Sequence, residues 1–177
     1  MLKIWELRKN EEESRRSRGP TLSPAQLRVQ TDIDGLELPP TMSVSFPDPN
    51  NIMKFTLTFS PESGYYQGGH FIFDFTVSQN YPIDPPKVLL RPRIWHPNID
   101  IDGALCLNIL REDWKPVLSL NHIAMGIQFL LLEPNKNDPL NQAAAQSLQD
   151  DPHSFLEEVR RAMEGGYVKG IKFDYVL

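Results

Sequence analysis

One cysteine in 177 residues is too few for an intramolecular disulfide or a cysteine-based zinc cluster, and suits a reducing compartment such as cytoplasm or nucleus. His70, His122 and His153 are scattered and show no metal-ligand spacing, so no metal site is expected. No apolar run approaches the roughly 18 residues of a membrane span. Even the stretch from Ile127 to Leu132 is interrupted by Gln128. The first residues lack the apolar core of a signal peptide, and no leader is expected. A basic excess is missing too. The net charge is −5, and because residues 1–18 carry a formal +2, the rest of the chain carries −7. Nucleic-acid binders need a basic face, so phosphate-backbone contact is not the expected task.

What is present centres on the lone thiol. The stretch His96-Pro97-Asn98-Ile99-Asp100-Ile101-Asp102-Gly103-Ala104-Leu105-Cys106 reads as a constrained loop. Pro97 fixes φ, Asn98 tolerates turn conformations, and Asp102-Gly103 is a strong turn signal. A thiol held by such a loop beside a side-chain amide can do acyl chemistry. It can also be a buried structural cysteine. His96 adds a third possibility, a Cys–His hydrolase pair.

Around this loop the pattern changes from strands to helices. Ser23-Pro24 predicts a helix start, with Leu27, Ile33 and Leu36 as its apolar stripe, Val29 to one side, and Pro39-Pro40 as its end. Met42–Phe46, Phe55–Phe59 and Phe71–Val77 alternate with a period of two and are separated by turn residues, which predicts an antiparallel meander. Lys87–Leu90 is a short fourth strand. Three helices are expected downstream: one capped by Ser119 and running to Leu132, an alanine-rich one over Leu140–Leu148, and one from Pro152 or His153 to Met163, closed by Gly165-Gly166. The order is that of a single α+β domain. Residues 1–20 separate from it at Gly19-Pro20. Trp5 and Leu7 have no evident local core, so the segment is either a disordered tail with helical leanings or a docking peptide for a partner groove.

Five motifs occur in register: Tyr81-Pro82-x-x-Pro85-Pro86-Lys87, His96-Pro97-Asn98, Gly103-x-x-Cys106-Leu107-x-Ile109-Leu110, Trp114-x-Pro116, and Pro134-Asn135-x-x-Asp138-Pro139-Leu140. In order and spacing they resemble the ubiquitin-conjugating enzymes over about residues 24–165. The resemblance implies a four-stranded antiparallel sheet flanked by helices, a core domain over 21–177 and a docking extension over 1–20. It implies that Cys106 carries a ubiquitin-like modifier as a thioester, with no cofactor of its own because ATP is consumed by the upstream activating enzyme. In that setting Asn98 steadies the oxyanion or ties the loop together, His96 organises the loop, and Asp138 orients the incoming lysine. No Lys, Arg or His lies within four residues of Cys106 in sequence, which suits a carrier whose thiol is accessible without strong activation. The alternatives are the Cys–His hydrolase and a non-catalytic binding module.

The run Cys106-Leu107-Asn108-Ile109-Leu110-Arg111-Glu112-Asp113-Trp114-Lys115-Pro116-Val117 resembles the neddylation branch of the family; many conjugators of ubiquitin itself, the nearest alternative, have Asp where Asn108 stands. Met1-Leu2-Lys3-Ile4-Trp5-Glu6-Leu7 resembles that branch's docking extension, although Trp5 stands where Phe is more usual. The implied contacts are Ile4, Trp5 and Leu7 with a heterodimeric activating enzyme, Met1 and Leu2 with a co-ligase, and Ile83, Pro116 and Val117 with a RING ligase acting on cullin lysines. The protein is expected to act as a monomer, with no membrane or nucleic-acid partner.

Overall fold

Residues 21–177 are described by a computed structural model, in which Ser23 opens the first helix, α1 (Pro24–Asp34). Met1, Leu2, Ile4, Trp5 and Leu7 lie outside the described residues. The Ser23 hydroxyl accepts from the Gln26 N–H and the Gln26 side chain accepts from the Ser23 N–H, a reciprocal cap that satisfies two otherwise free donors. The end and the face of this helix differ from the sequence expectation. Gly35 terminates it, well before Pro39-Pro40, and its buried side is Ala25, Val29 and Asp32, while Leu27 is exposed. The cause is polar. The Asp32 carboxylate accepts from Tyr81 Oη, from Arg28 Nε at 2.9 Å and from Leu120 N at 3.4 Å. An acid that finds all its partners inside turns the helix more strongly than one leucine can, because an unpaired buried charge is the costlier error.

Strands β1 (Met42–Ser45), β2 (Lys54–Phe59), β3 (Phe71–Thr76) and β4 (Lys87–Leu90) form an antiparallel meander in that spatial order. The register places Val44 opposite Leu57, Leu57 opposite Phe73 and Phe73 opposite Leu90. Alternation then sends Phe55, Leu57, Phe59, Phe71, Phe73, Phe75, Val88 and Leu90 into the core. Helix α2 (Leu120–Leu132) buries Ile123, Ile127 and Leu131 in the same core. Each such side chain contributes about 1.5–3 kcal/mol by leaving water.

Helix α3 (Gln142–Asp150) starts two residues later than its alanine pattern suggests, because the Asn141 side chain caps it through Ala144 N at 3.1 Å. This frees Leu140 N and Asn141 N to donate to Pro97 O, both at 2.9 Å, which pulls the helix entrance onto the central loop. After α4 (Pro152–Met163) comes a hairpin that the sequence reading did not include, β5 (Tyr167–Val168) and β6 (Ile171–Lys172). Its two turn residues, Lys169 and Gly170, have φ of 48° and 81°, the left-handed pair of a two-residue hairpin. Lysine in the first of those places hides the signal. The chain end then returns Phe173 and Val176 to the core.

Candidate functional site

The loop between β4 and α2 is built on a buried histidine. His96 is fully enclosed, its ring stacked on Tyr66 at 5.1 Å, and the Tyr66 hydroxyl donates to Trp95 O at 2.7 Å. Leu130 O, a pure acceptor, sits 3.0 Å from Nε2, so Nε2 carries the proton; Nδ1 then accepts from the Asn98 N–H at 2.9 Å. Burial pushes the His96 pKa down to about 4, against a smaller opposing effect of the Leu130 carbonyl, so the ring is neutral at physiological pH. Both nitrogens are committed. His96 bonds to Leu130 O and Asn98 N and is not paired with the sulfur, so the Cys–His hydrolase geometry does not form.

Asn98 is buried as well. Its Nδ2 donates to Asn135 O at 2.7 Å and its Oδ1 accepts from Asn135 N at 2.8 Å, a two-bond clasp across 37 residues of sequence. Its backbone carbonyl accepts from the Cys106 N–H at 2.8 Å. One residue thus holds the cysteine strand through its backbone carbonyl and the segment leading to Asp138 through its side chain, with the second Nδ2 hydrogen outside the clasp. Between Asn98 and Cys106 the chain reverses at Asp100, whose Oδ1 accepts from Asp102 N and Ala104 N, both at 2.9 Å. Gly103 crosses β4 at φ 84°, with its carbonyl accepting from Leu90 N at 2.8 Å. A Cβ there would stand 2.0 Å from Leu90 O, so only glycine fits.

After Cys106 the chain turns through a short 3-10 helix, Asn108–Leu110, which brings Arg111 back over the thiol. Arg111 Nη2 donates to Cys106 Sγ at 2.9 Å. Counting neighbours within four residues missed this cation by one position, since the turn carries residue 111 back to residue 106. The thiol itself points to Asp138 O at 3.7 Å. Asp138 is exposed at φ 53°, a left-handed conformation, and does not cap α3, a role taken by Asn141. Cys106 is half-buried and lines a cleft of about 420 Å³, whose polar lining includes Asn98, Asn108, Glu133 and Asp138. Phe129, exposed on α2, forms one wall, and Gly126 admits the Leu107 side chain, which would lie 3.1 Å from an added Cβ. A larger hollow of about 550 Å³ lies beside β1 and β2, where Ser60 pairs with His70 at 2.7 Å. It holds no thiol, and the smaller cleft is the site because the nucleophile opens into it. Among the described residues no group of His, Cys, Asp and Glu is placed to hold a metal.

The remaining candidates form a separate face. Ile83 and Val117 are 70% and 81% exposed, and Pro116 is exposed beside Val117. Trp114 Nε1 donates to Pro82 O at 2.9 Å, joining the two loops. Arg28 of α1 donates to Pro116 O at 2.9 Å and to Leu118 O at 2.6 Å. Sequence reasoning grouped these two loops but assigned no role to Arg28, Asn135 or Arg111. Asn135 and Arg111 were within reach, because each stands inside a quoted stretch; Arg28 carries no sequence signal.

The family described as ubiquitin-conjugating enzyme matches residues 28–163. The NEDD8-conjugating enzyme ubc12 of Schizosaccharomyces pombe is 52% identical over 177 residues, covering 100% of this chain and 99% of that protein. The Nedd8-conjugating enzyme UbcE2M of Drosophila melanogaster is 49% identical over 179 residues, with 100% and 99% covered. Among solved structures, Saccharomyces cerevisiae Ubc12 superposes with a TM-score of 0.85 at 41% identity, covering 99% of this chain and 98% of that one.

Proposed function

The chain belongs to the ubiquitin-conjugating enzyme family, and we propose that it conjugates a NEDD8-type modifier, accepting it from an activating enzyme on Cys106 and passing it to a substrate lysine. The observation that carries the reading is the solitary thiol lining an open cleft, without a histidine base and with its loop clasped by Asn98. Such a sulfur stores an acyl group; it is not built to hydrolyse one.

In the transfer step the neutral lysine amine attacks the thioester carbonyl carbon. A C–N bond forms, the carbonyl π electrons move to oxygen, and the tetrahedral oxyanion collapses with loss of the C–S bond and departure of sulfur as thiolate. The amine gives up one proton, which solvent or the Asp138 carboxylate takes. Asn98 can offer the oxyanion the Nδ2 hydrogen not used by Asn135, so loop-tying and charge stabilisation coexist in one side chain. The exposed carboxylate of Asp138, held at the cleft rim, suits a lysine arriving there. The joined face of Ile83, Pro116 and Val117 suits a RING ligase, with cullins as the substrates. Ile4, Trp5 and Leu7 serve a heterodimeric activating enzyme, and Met1 and Leu2 a co-ligase.

The test offers the purified chain NEDD8 and ubiquitin, each with its own activating enzyme, with and without residues 1–20. NEDD8 should form a reductant-sensitive adduct on Cys106, which becomes a reductant-resistant ester in Cys106→Ser, and removing the tail should slow loading. Equal loading by ubiquitin with no effect of truncation would overturn both the modifier assignment and the role of the tail.

A further inference from the structure

Arg111 has no part in the mechanism above, yet it touches the reacting atom. Its Nη2 lies 2.9 Å from Cys106 Sγ, and its nearest carboxylate, Glu112 Oε2, is 3.9 Å from Nε, a loose pairing that leaves the guanidinium free to act elsewhere. The contact is fixed by the backbone. Arg111 N donates to Asn108 O at 2.9 Å, and Trp114 N donates to Arg111 O at 3.2 Å, so the residue is pinned on both sides of its side chain. The ionisable side chains lining the cleft, other than the thiol, are Glu133 and Asp138, both acidic, and the lining holds no lysine or arginine. A negative charge appearing on the sulfur therefore faces a cleft whose lining carries two acids and no cation, and has one guanidinium in direct contact.

Resting on the thioester reading, we propose that Arg111 is a catalytic residue that receives the negative charge gathering on Cys106 Sγ as the C–S bond breaks. In the neutral thiol or thioester, sulfur is a weak hydrogen-bond acceptor; as a departing thiolate it takes up the electron pair of the broken bond and becomes a strong one. A guanidinium already at contact distance strengthens its bond in the same step, which is stabilisation of the transition state rather than of the resting ester. Asn98 and Arg111 then divide the charge of the reaction, with oxygen served by the amide and sulfur by the guanidinium. Loading uses the same sulfur as the attacking atom and gains from the same contact.

The experiment is single-turnover discharge of the preloaded, full-length enzyme to free lysine, with the activating enzyme quenched. Arg111→Ala should slow discharge about tenfold or more, below the range for removal of a fully enclosed oxyanion donor because this side chain is half exposed. Arg111→Lys should keep part of the rate. Guanidinium ion added at low millimolar concentration should raise the Arg111→Ala rate and leave the wild type unchanged, a rescue that a packing role does not give. Slow hydrolysis of the same thioester by water should fall in parallel, because amine and water share one leaving sulfur. Thermal unfolding should be unaltered, since the side chain is on the surface. Wild-type discharge by Arg111→Ala, absence of rescue, or a defect confined to the amine reaction would each overturn the proposal. A wild-type chain that forms no reductant-sensitive adduct would instead overturn the thioester reading beneath it.

Discussion

Acidification should destabilise this protein through one imidazole. His96 is neutral and enclosed in the native state, with its pKa lowered from an ordinary 6.5 to about 4 by burial. In the unfolded chain the ring is solvated and takes up its proton near 6.5. Between those two values the unfolded state binds more protons, so stability falls as pH falls through that window and is intact above it. At about 1.4 kcal/mol for each tenfold change in proton affinity, the loss is about 2 kcal/mol at pH 5 and about 3 kcal/mol once pH drops below 4. A domain of ordinary stability has about 5–15 kcal/mol in all, so the effect is visible. Urea unfolding followed by tryptophan fluorescence, at several values from about pH 7.5 to about pH 5, measures it. The companion variant His96→Gln cannot titrate. It should be less stable throughout, having lost the bonds to Asn98 N and Leu130 O, but its stability should depend less on pH across the window. Carboxylates titrate alike in both proteins, and the difference of slopes isolates His96. Parallel curves for the two proteins would refute the reasoning.

Three further outcomes follow from the same geometry. Gly103→Ala places a Cβ against Leu90 O at a left-handed φ, so the loop must lift off β4; thioester formation should collapse while circular dichroism retains the fold, and normal loading would contradict the fit. Asn98→Ala leaves Asn135 N and O without their partner and should cost about 1–3 kcal/mol by chemical denaturation, together with slower discharge; a discharge defect at unchanged stability would mean that the clasp is energetically idle. Arg28→Ala releases Pro116 O and Leu118 O, so ligase-stimulated discharge should fall several-fold more than unstimulated discharge; an equal fall in both would show that Arg28 does not shape the ligase face.

Residue pattern alone determined the meander and most helix limits, because alternation in Phe71–Thr76 and caps such as Ser119 are local and need only neighbours in sequence to be read. Cys106, Asn98, His96 and Asp138 could be named together as candidates because their motifs stand in a specific order. Tertiary structure alone decided the burial and the hydrogen-bond partners of each. The buried face of α1 followed Asp32, whose partners Tyr81 and Leu120 are distant in sequence, and no periodicity of apolar residues carries that information. The hairpin after α4 was hidden because lysine occupies its first left-handed position. His96 is a neutral hub rather than a base because of the enclosure contributed by Tyr66 and the carbonyl of Leu130. Arg111 reaches the sulfur only because a short 3-10 turn folds it back. A sequence names the groups available to a site; their protonation, their partners and their distance from the reacting atom are set by burial and by chain reversal, which are properties of the folded whole.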